Sequence, residues 1–311
     1  MKTFGFGSYA ISGGVALALL AGCGGPQSLP LSAASGGASS PQYKASGPLL
    51  YVSNDGEAHN VTVYRADAKD PSPIATISDD LEFPAGMCVD GQGTLYVADQ
   101  TGWIAEYPAG KTTPSKVITK GTDNPGYCVI DSQGNLWVTN VFGPNVTEYL
   151  RGSTKPHTVI TKGLTYPAGL AIDHSGNMYV GNGGYLGDGR YSIVVYAAGG
   201  KSPSRTITDG VTYPNGMTVD AQGTLYVANG PSNNVEEYRS GQNHPYRTIT
   251  DGLNYPVGIT VNKQGWLYVV DFHSAGPVIE FAPGSRTPSH RQISKGLYNP
   301  FGAAYSPPLL P

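Results

Sequence analysis

One phrase returns six times along this chain of 311 residues: "PIATISDDLEFP", "PSKVITKGTDNP", "PHTVITKGLTYP", "PSRTITDGVTYP", "PYRTITDGLNYP" and "PSHRQISKGLYNP". In every copy an isoleucine (Ile77, Ile118, Ile160, Ile207, Ile249 and Ile293) precedes a closing proline at the same distance. The prolines are Pro84, Pro125, Pro167, Pro214, Pro256 and Pro300, about 43 residues apart on average. A unit of that length cannot bury its own apolar face and must stack on its neighbours. Four short strands can be read within each unit, and in the fourth they are "GMTVD", "TLYVAN", "NVEEYRS" and "YRTITDG". Four strands per repeat of this length predict blades around a central axis.

The count closes the ring. Five units run complete from Pro84 to Tyr298, and the sixth is split between the two ends of the folded region. "PFGAAYS" offers its innermost strand, while "LLYVSND", "NVTVYRA" and "PIATIS" offer the other three. Pairing the ends inside one blade removes exposed edges. The predicted fold class is therefore all-β, a six-bladed β-propeller over residues 48–308, with a closing blade shared between the N- and C-terminal segments and a tail at 309–311. The composition agrees: 43 Gly, 25 Pro and 21 Tyr supply turn formers and strand formers. A formal charge of −3 and the lack of a Lys/Arg-rich run argue against nucleic acid as a partner.

The N-terminus, "MKTFGFGSYAISGGVALALLAGCGG", has an early lysine, a short apolar run and then small residues. It reads as a secretory signal, too short to span a bilayer as a mature helix. Leu20-Ala21-Gly22-Cys23 resembles a bacterial lipobox, which implies a signal peptide over 1–22 and a lipidated Cys23 at the start of the mature chain. Residues 23–47, rich in Gly, Ser, Pro and Ala, form the expected flexible tether. Lipid chains would hold the protein on a membrane without spanning it. The expected location is thus the bacterial cell envelope, extracytoplasmic and lipid-anchored, as a monomer.

The recurring pattern P-x-G-h-x-h-D-x-x-G-x-L-Y-V-A-[DN] resembles the NHL-repeat family and the wider gluconolactonase-like group of six-bladed propellers, across nearly all of the folded region. That likeness implies the fold well and the function poorly, because these propellers host hydrolases, lyases and plain binding proteins. In gluconolactonase-like enzymes a divalent metal is held at the axis by a Glu, an Asn of an Asn-Gly entrance and an Asp of an Asp-Gly entrance. Only Asn215 matches here; the other entrance positions are Ala85, Gly126, Ala168, Val257 and Phe301. One neutral ligand does not make a divalent site, so no cofactor is expected and a cation has weak support.

Other recurrent residues divide between structure and chemistry. The Asp-x-x-Gly segments starting at Asp90, Asp131, Asp173 and Asp220 read as hairpin turns, since a calcium loop would need paired carboxylates and a distal Glu. The second strand ends in Asn54, Asp99, Asn140, Asn182, Asn229 and Asp271, a polar ring at the mouth of the propeller. It either binds a ligand or caps loop backbone; recurrence in every blade favours capping. His59 and His273, in mouth loops of neighbouring blades, could form an acid–base or metal cluster with Asp55, Glu57 and Asp271, or be two solvated loop histidines. The longest mouth loop carries Tyr185, Asp188 and Arg190, which could contact a partner. Cys88 and Cys128 fall on the innermost strands of adjacent blades, where they form either a disulfide or two buried thiols.

Two functions follow. One is a non-catalytic envelope lipoprotein whose mouth binds a protein, peptide or glycan. The other is a propeller enzyme, a lyase or lactonase-like hydrolase, working at the mouth of the central channel. The anchor, the tether and the near-uniform repeat favour the first.

Overall fold

The structure is a computed structural model and describes residues 42–44, 46–183, 190–273 and 276–308. Six antiparallel four-stranded sheets form it. Blades 1 to 5 begin with innermost strands Pro84–Val89, Pro125–Ile130, Pro167–Ile172, Pro214–Val219 and Pro256–Val261. The closing blade takes its innermost strand, Pro300–Ser306, from the C-terminal side and its other three from Leu49–Asn54, Asn60–Arg65 and Ala75–Ile77. Leu50 pairs with Tyr305 and Val52 with Ala303, so hydrogen bonds between distant parts of the chain shut the ring.

The core lies between the blades rather than within one. One apolar layer joins Tyr51, Val61 and Ile77 of the closing blade to Met87, Val97 and Tyr107 of blade 1. Another joins Ile193, Val195 and Ile207 of blade 3 to Met217, Val219 and Tyr238 of blade 4. Alternation along each strand supplies both faces of every blade with β-branched and aromatic residues, as a doubly covered sheet requires. The innermost strands crowd at their entrances. A Cβ on Gly169 would stand 2.1 Å from the Asn215 carbonyl oxygen, and one on Gly216 would stand 2.3 Å from that of Val257. Glycine there lets neighbouring backbones meet.

A tyrosine latch ties five of the six blades to the one before. The hydroxyls of Tyr64, Tyr149, Tyr196 and Tyr238 donate to the carbonyls of Lys295, Lys120, Lys162 and Asp209 at 2.7, 2.8, 2.7 and 2.7 Å. Tyr107 does the same to Asp79. Blade 5 has Phe281 at this position, equally buried but with no hydroxyl to donate.

The Asp-x-x-Gly segments are turns. Asp220 Oδ1 accepts the Gln222 and Thr224 N–H groups at 2.9 and 2.8 Å, and its Oδ2 accepts the Tyr226 hydroxyl at 3.0 Å. Asp131 and Asp173 repeat the arrangement with Trp137 and Tyr179. Asn262 accepts the same two backbone donors at 3.0 and 2.9 Å without a charge. No helix among the described residues is long and apolar enough to cross a membrane.

The Cys88 and Cys128 side chains turn toward each other between blades 1 and 2. Their sulfurs meet and their Cα atoms lie 5.7 Å apart, within the span a disulfide bridges. The chain's third cysteine, Cys23, lies outside the described residues.

Two measurements check this layer. Tyr238→Phe should lower the urea-unfolding free energy by about 1 kcal/mol, the worth of one buried hydrogen bond; no loss would leave the latch without weight. Alkylation of the unfolded, unreduced protein should leave Cys88 and Cys128 unmodified, and labelling of both would show free thiols.

Candidate functional site

The mouth is the face where each outer strand returns to the next innermost strand and where the second strand crosses to the third. Its polar ring is turned inward, against backbone. Asn54 Oδ1 accepts the Tyr298 N–H at 2.9 Å, and Asn140 Oδ1 accepts that of Asp123 at 2.9 Å. Asn182 accepts from Thr165 and Tyr166 at 2.8 and 3.1 Å, and Asn229 from Thr212 at 3.0 Å. Asp99 takes the Glu82 and Phe83 N–H groups on one oxygen and Thr101 on the other. All six residues are buried. Each pins the loop that enters its own blade, so these side chains reach backbone rather than the mouth surface.

Asp271 is the exception within this ring. In blades 2, 3 and 4 the asparagine amide also donates to a glycine carbonyl earlier in the chain: Asn140 to Gly121, Asn182 to Gly163 and Asn229 to Gly210, at 3.1, 3.2 and 2.9 Å. The equivalent carbonyl for Asp271 belongs to Gly252. A carboxylate cannot donate to it. Asp271 Oδ2 accepts the Asn254 N–H at 3.0 Å, and Oδ1 is buried with no partner. Burial, opposed in part by the Asn254 N–H, pushes this carboxyl up to about 7. In its protonated form it can donate where asparagine donates elsewhere.

The axis is plugged. Five blades carry glycine as the third residue of the innermost strand (Gly86, Gly169, Gly216, Gly258 and Gly302), whereas blade 2 carries Tyr127. Its hydroxyl donates to the Val257 carbonyl on blade 5 at 3.2 Å. Blades 2 and 5 face each other across the six-membered ring, so the Tyr127 side chain crosses the axis. Below it remains a channel segment of about 120 Å³ lined chiefly by apolar side chains, among them Met87, Val129, Ile172, Val219 and Val261.

Around this plug the mouth is aromatic. Phe301 lies 6.0 Å from the Tyr127 ring, Phe272 lies 6.0 Å from Phe301, and Tyr255 lies 6.3 Å from Phe272. Tyr191 meets Tyr213 edge to face at 5.7 Å. The two halves adjoin: burial, then the phenols of Tyr255 and Tyr191, push the Tyr213 hydroxyl above its usual value. Burial raises Tyr127 as well, with Tyr213 as the second cause. The phenols are therefore neutral, able both to donate and to accept. Asn215 shares the register position of Phe301, is 8% exposed, and its side chain makes no hydrogen bond among the described residues.

The entrance residues do not suit the divalent metal of gluconolactonase-like enzymes. Asn215 stands among Ala85, Gly126, Ala168, Val257 and Phe301, and the Tyr127 ring occupies the axis at that level. Among the described residues no group of three or more His, Cys, Asp and Glu side chains converges.

The histidines are not brought together with their suggested partners. His59 bonds to the Glu82 carbonyl and meets the Phe83 ring at 5.4 Å, toward blade 1 and away from blade 5. His273 is exposed on the blade 5 loop, and Glu57 is exposed in the short turn Gly56–Ala58. Tyr185 and Asp188 lie outside the described residues, while Arg190 is described and has partners. A larger cleft of about 420 Å³ opens on the opposite face, where the closing blade has chain ends in place of a hairpin turn. Its Arg291 is already engaged, with Glu280 at 3.4 Å and with the Ala66 and Ala68 carbonyls at 3.0 Å each.

The aromatic cup is what sequence reasoning missed. Its signals were present: a tyrosine before the entrance proline at Tyr213 and Tyr255, and the one non-glycine third position at Tyr127.

No protein-family model matches the chain, and no curated protein matches it. Solved structures do. A chain in the crystal structure of a nidogen/laminin complex is similar with a TM-score of 0.70 and 18% identity, over 84% of this chain and 98% of that one. A protein of unknown function from Bacteroides caccae is similar with a TM-score of 0.67 and 13% identity, over 84% of this chain and 99% of that one. Likeness at these identities establishes the shared six-bladed fold.

Asp271 gives the site a pH signature. Its folded pKa of about 7 lies above the 3.8 of an ordinary aspartate. The folded protein thus keeps a proton that the unfolded chain releases between those values, and stability falls as pH rises through that window. Asp271→Asn should remove this slope, raising stability at pH 8 by up to about 4 kcal/mol and changing it little at pH 4. Equal effects at both pH values would contradict the assignment.

Proposed function

We propose that this chain is an extracytoplasmic propeller lipoprotein, held on the bacterial envelope by a lipidated Cys23 and the tether 23–47, that binds or scaffolds a partner at its mouth. The observation that carries the reading is the aromatic cup around Tyr127. A crossed axis leaves no open passage at that level, while the rings and the Asn215 amide offer the mixture of apolar faces and polar groups that binding surfaces use. In the nidogen/laminin complex a chain of this fold takes part in an assembly between proteins, which supports a binding role for the scaffold. The enzymatic alternative lacks such support, because its reactive groups are dispersed or turned into loop backbone.

Both halves of the reading can be tested in cells. Cys23→Ser should move the protein from the detergent-extracted membrane fraction to the soluble fraction; unchanged membrane association would remove the anchor. A photo-crosslinking residue at Phe142, exposed beside Tyr166 at the mouth, should give adducts that the same residue at Val159, exposed on the outer strand of blade 2, does not. Equal labelling at both positions would argue against a mouth-directed partner.

A further inference from the structure

We propose that the mouth recognises a neutral glycan, with sugar rings stacked on Tyr213 and Tyr255 and sugar hydroxyls bonded to the cup phenols and the Asn215 amide. The inference rests on the mouth-binding reading and names its ligand class.

The first support is backbone geometry. Four residues preceding entrance prolines adopt the left-handed conformation: Asn124 at φ 51°, Asn299 at φ 45°, Tyr213 at φ 60° and Tyr255 at φ 66°. Asparagine is the cheap non-glycine choice there, and two blades use it. A bulky aromatic in that conformation is strained, and such residues cluster at functional sites. The strain holds two rings at the mouth, one against Tyr191 and one against Phe272. The surroundings are shaped to keep Tyr255 there. A Cβ on Gly230 would stand 2.8 Å from its ring, and the Asn233 side chain accepts its N–H at 2.9 Å.

The second support is Asn215. The residue is 8% exposed, and its amide makes no side-chain hydrogen bond among the described residues. It is not among the buried polar atoms that lack a partner, so the amide keeps an accessible face on which a ligand hydroxyl can bond. The third is the chemistry of the set. Tyr127, Tyr191, Tyr213, Tyr255 and Asn215 carry no charge, so the cup has no fixed partner for an anionic or cationic ligand. A pyranose presents C–H groups on its faces and hydroxyls around its edge, which rings and phenols or amides match in turn. A peptide fits less well. Each innermost strand is the edge of its sheet, but these edges crowd one another at the axis and leave no room for an added strand, and the ring of Asn and Asp side chains already takes loop N–H groups that could have met a peptide backbone.

The test is calorimetric titration of the full-length protein with neutral β-1,4-linked hexaoses of glucose and of N-acetylglucosamine, and with a proline-rich decapeptide as the alternative occupant. Tyr213→Asn and Tyr255→Asn install the residue that the same backbone carries at positions 124 and 299, so folding should be retained and the melting temperature unchanged or raised. Each should weaken hexaose binding about tenfold or more, and Asn215→Ala should weaken it as well. Hexaose binding unaffected by these variants, or binding to neither hexaose, overturns the glycan inference. Peptide binding that Tyr213→Asn abolishes, with no hexaose binding, overturns it while leaving the mouth as the binding site. Failure of both probes, together with equal photo-labelling of mouth and outer strand, removes the mouth reading too.

Discussion

The pairing of Pro300–Ser306 with Leu49–Asn54 is the contact on which everything else depends. Each interblade layer needs two blades, and a linear stack would leave an apolar face bare at either end. Joining the chain ends inside one sheet supplies the missing neighbour for both blade 1 and blade 5. Only a closed ring has an axis, and only an axis lets Tyr127 on blade 2 reach the Val257 carbonyl on blade 5. The mouth floor is therefore a consequence of closure at the opposite scale of the molecule.

Within the ring, two devices repeat for stability and three residues depart from the repeat. The tyrosine latches and the Asn/Asp caps recur because each blade must fix its own entrance loop to the blade before it. Phe281 drops a latch in blade 5, and Asp271 replaces an amide with an acid in the same blade. Tyr127 replaces glycine in blade 2. There, Thr139 accepts the Tyr127 N–H at 2.9 Å and donates to the Ala168 carbonyl at 2.8 Å. The closing blade makes the same bridge with a glycine in place of the tyrosine: Ser53 accepts the Gly302 N–H and donates to the Ala85 carbonyl, each at 2.7 Å.

Much of this was legible in the sequence, because a repeat states its own architecture. The Ile–Pro spacing fixed the blade count, and the Asp-x-x-Gly turns follow from side chains that can reach backbone donors two and four residues on. Asn215 also stood out as the odd entrance residue. Less legible was anything that depends on ring diameter. Whether Cys88 and Cys128 face each other depends on blade twist, which strand alternation alone does not give. Tyr127 was visible as a tyrosine among glycines, yet nothing local says that its side chain crosses an axis. His59 and His273 sit in neighbouring loops, but His59 leans toward blade 1, a direction set by the left-handed turn at φ 44°. Nothing local to Tyr213-Pro214 or Tyr255-Pro256 says that the two rings come to the mouth beside Tyr191 and Phe272.

The central claim is that function resides in the tyrosine cup above a plugged axis. A crystal structure of the protein soaked with N-acetylglucosamine hexaose addresses it most directly. The account requires sugar density over Tyr213 and Tyr255, within hydrogen-bonding distance of the Asn215 amide, and an unbroken Tyr127 hydroxyl contact to Val257. Sugar density instead in the cleft beside Arg291, or beside His59 and His273, would contradict it.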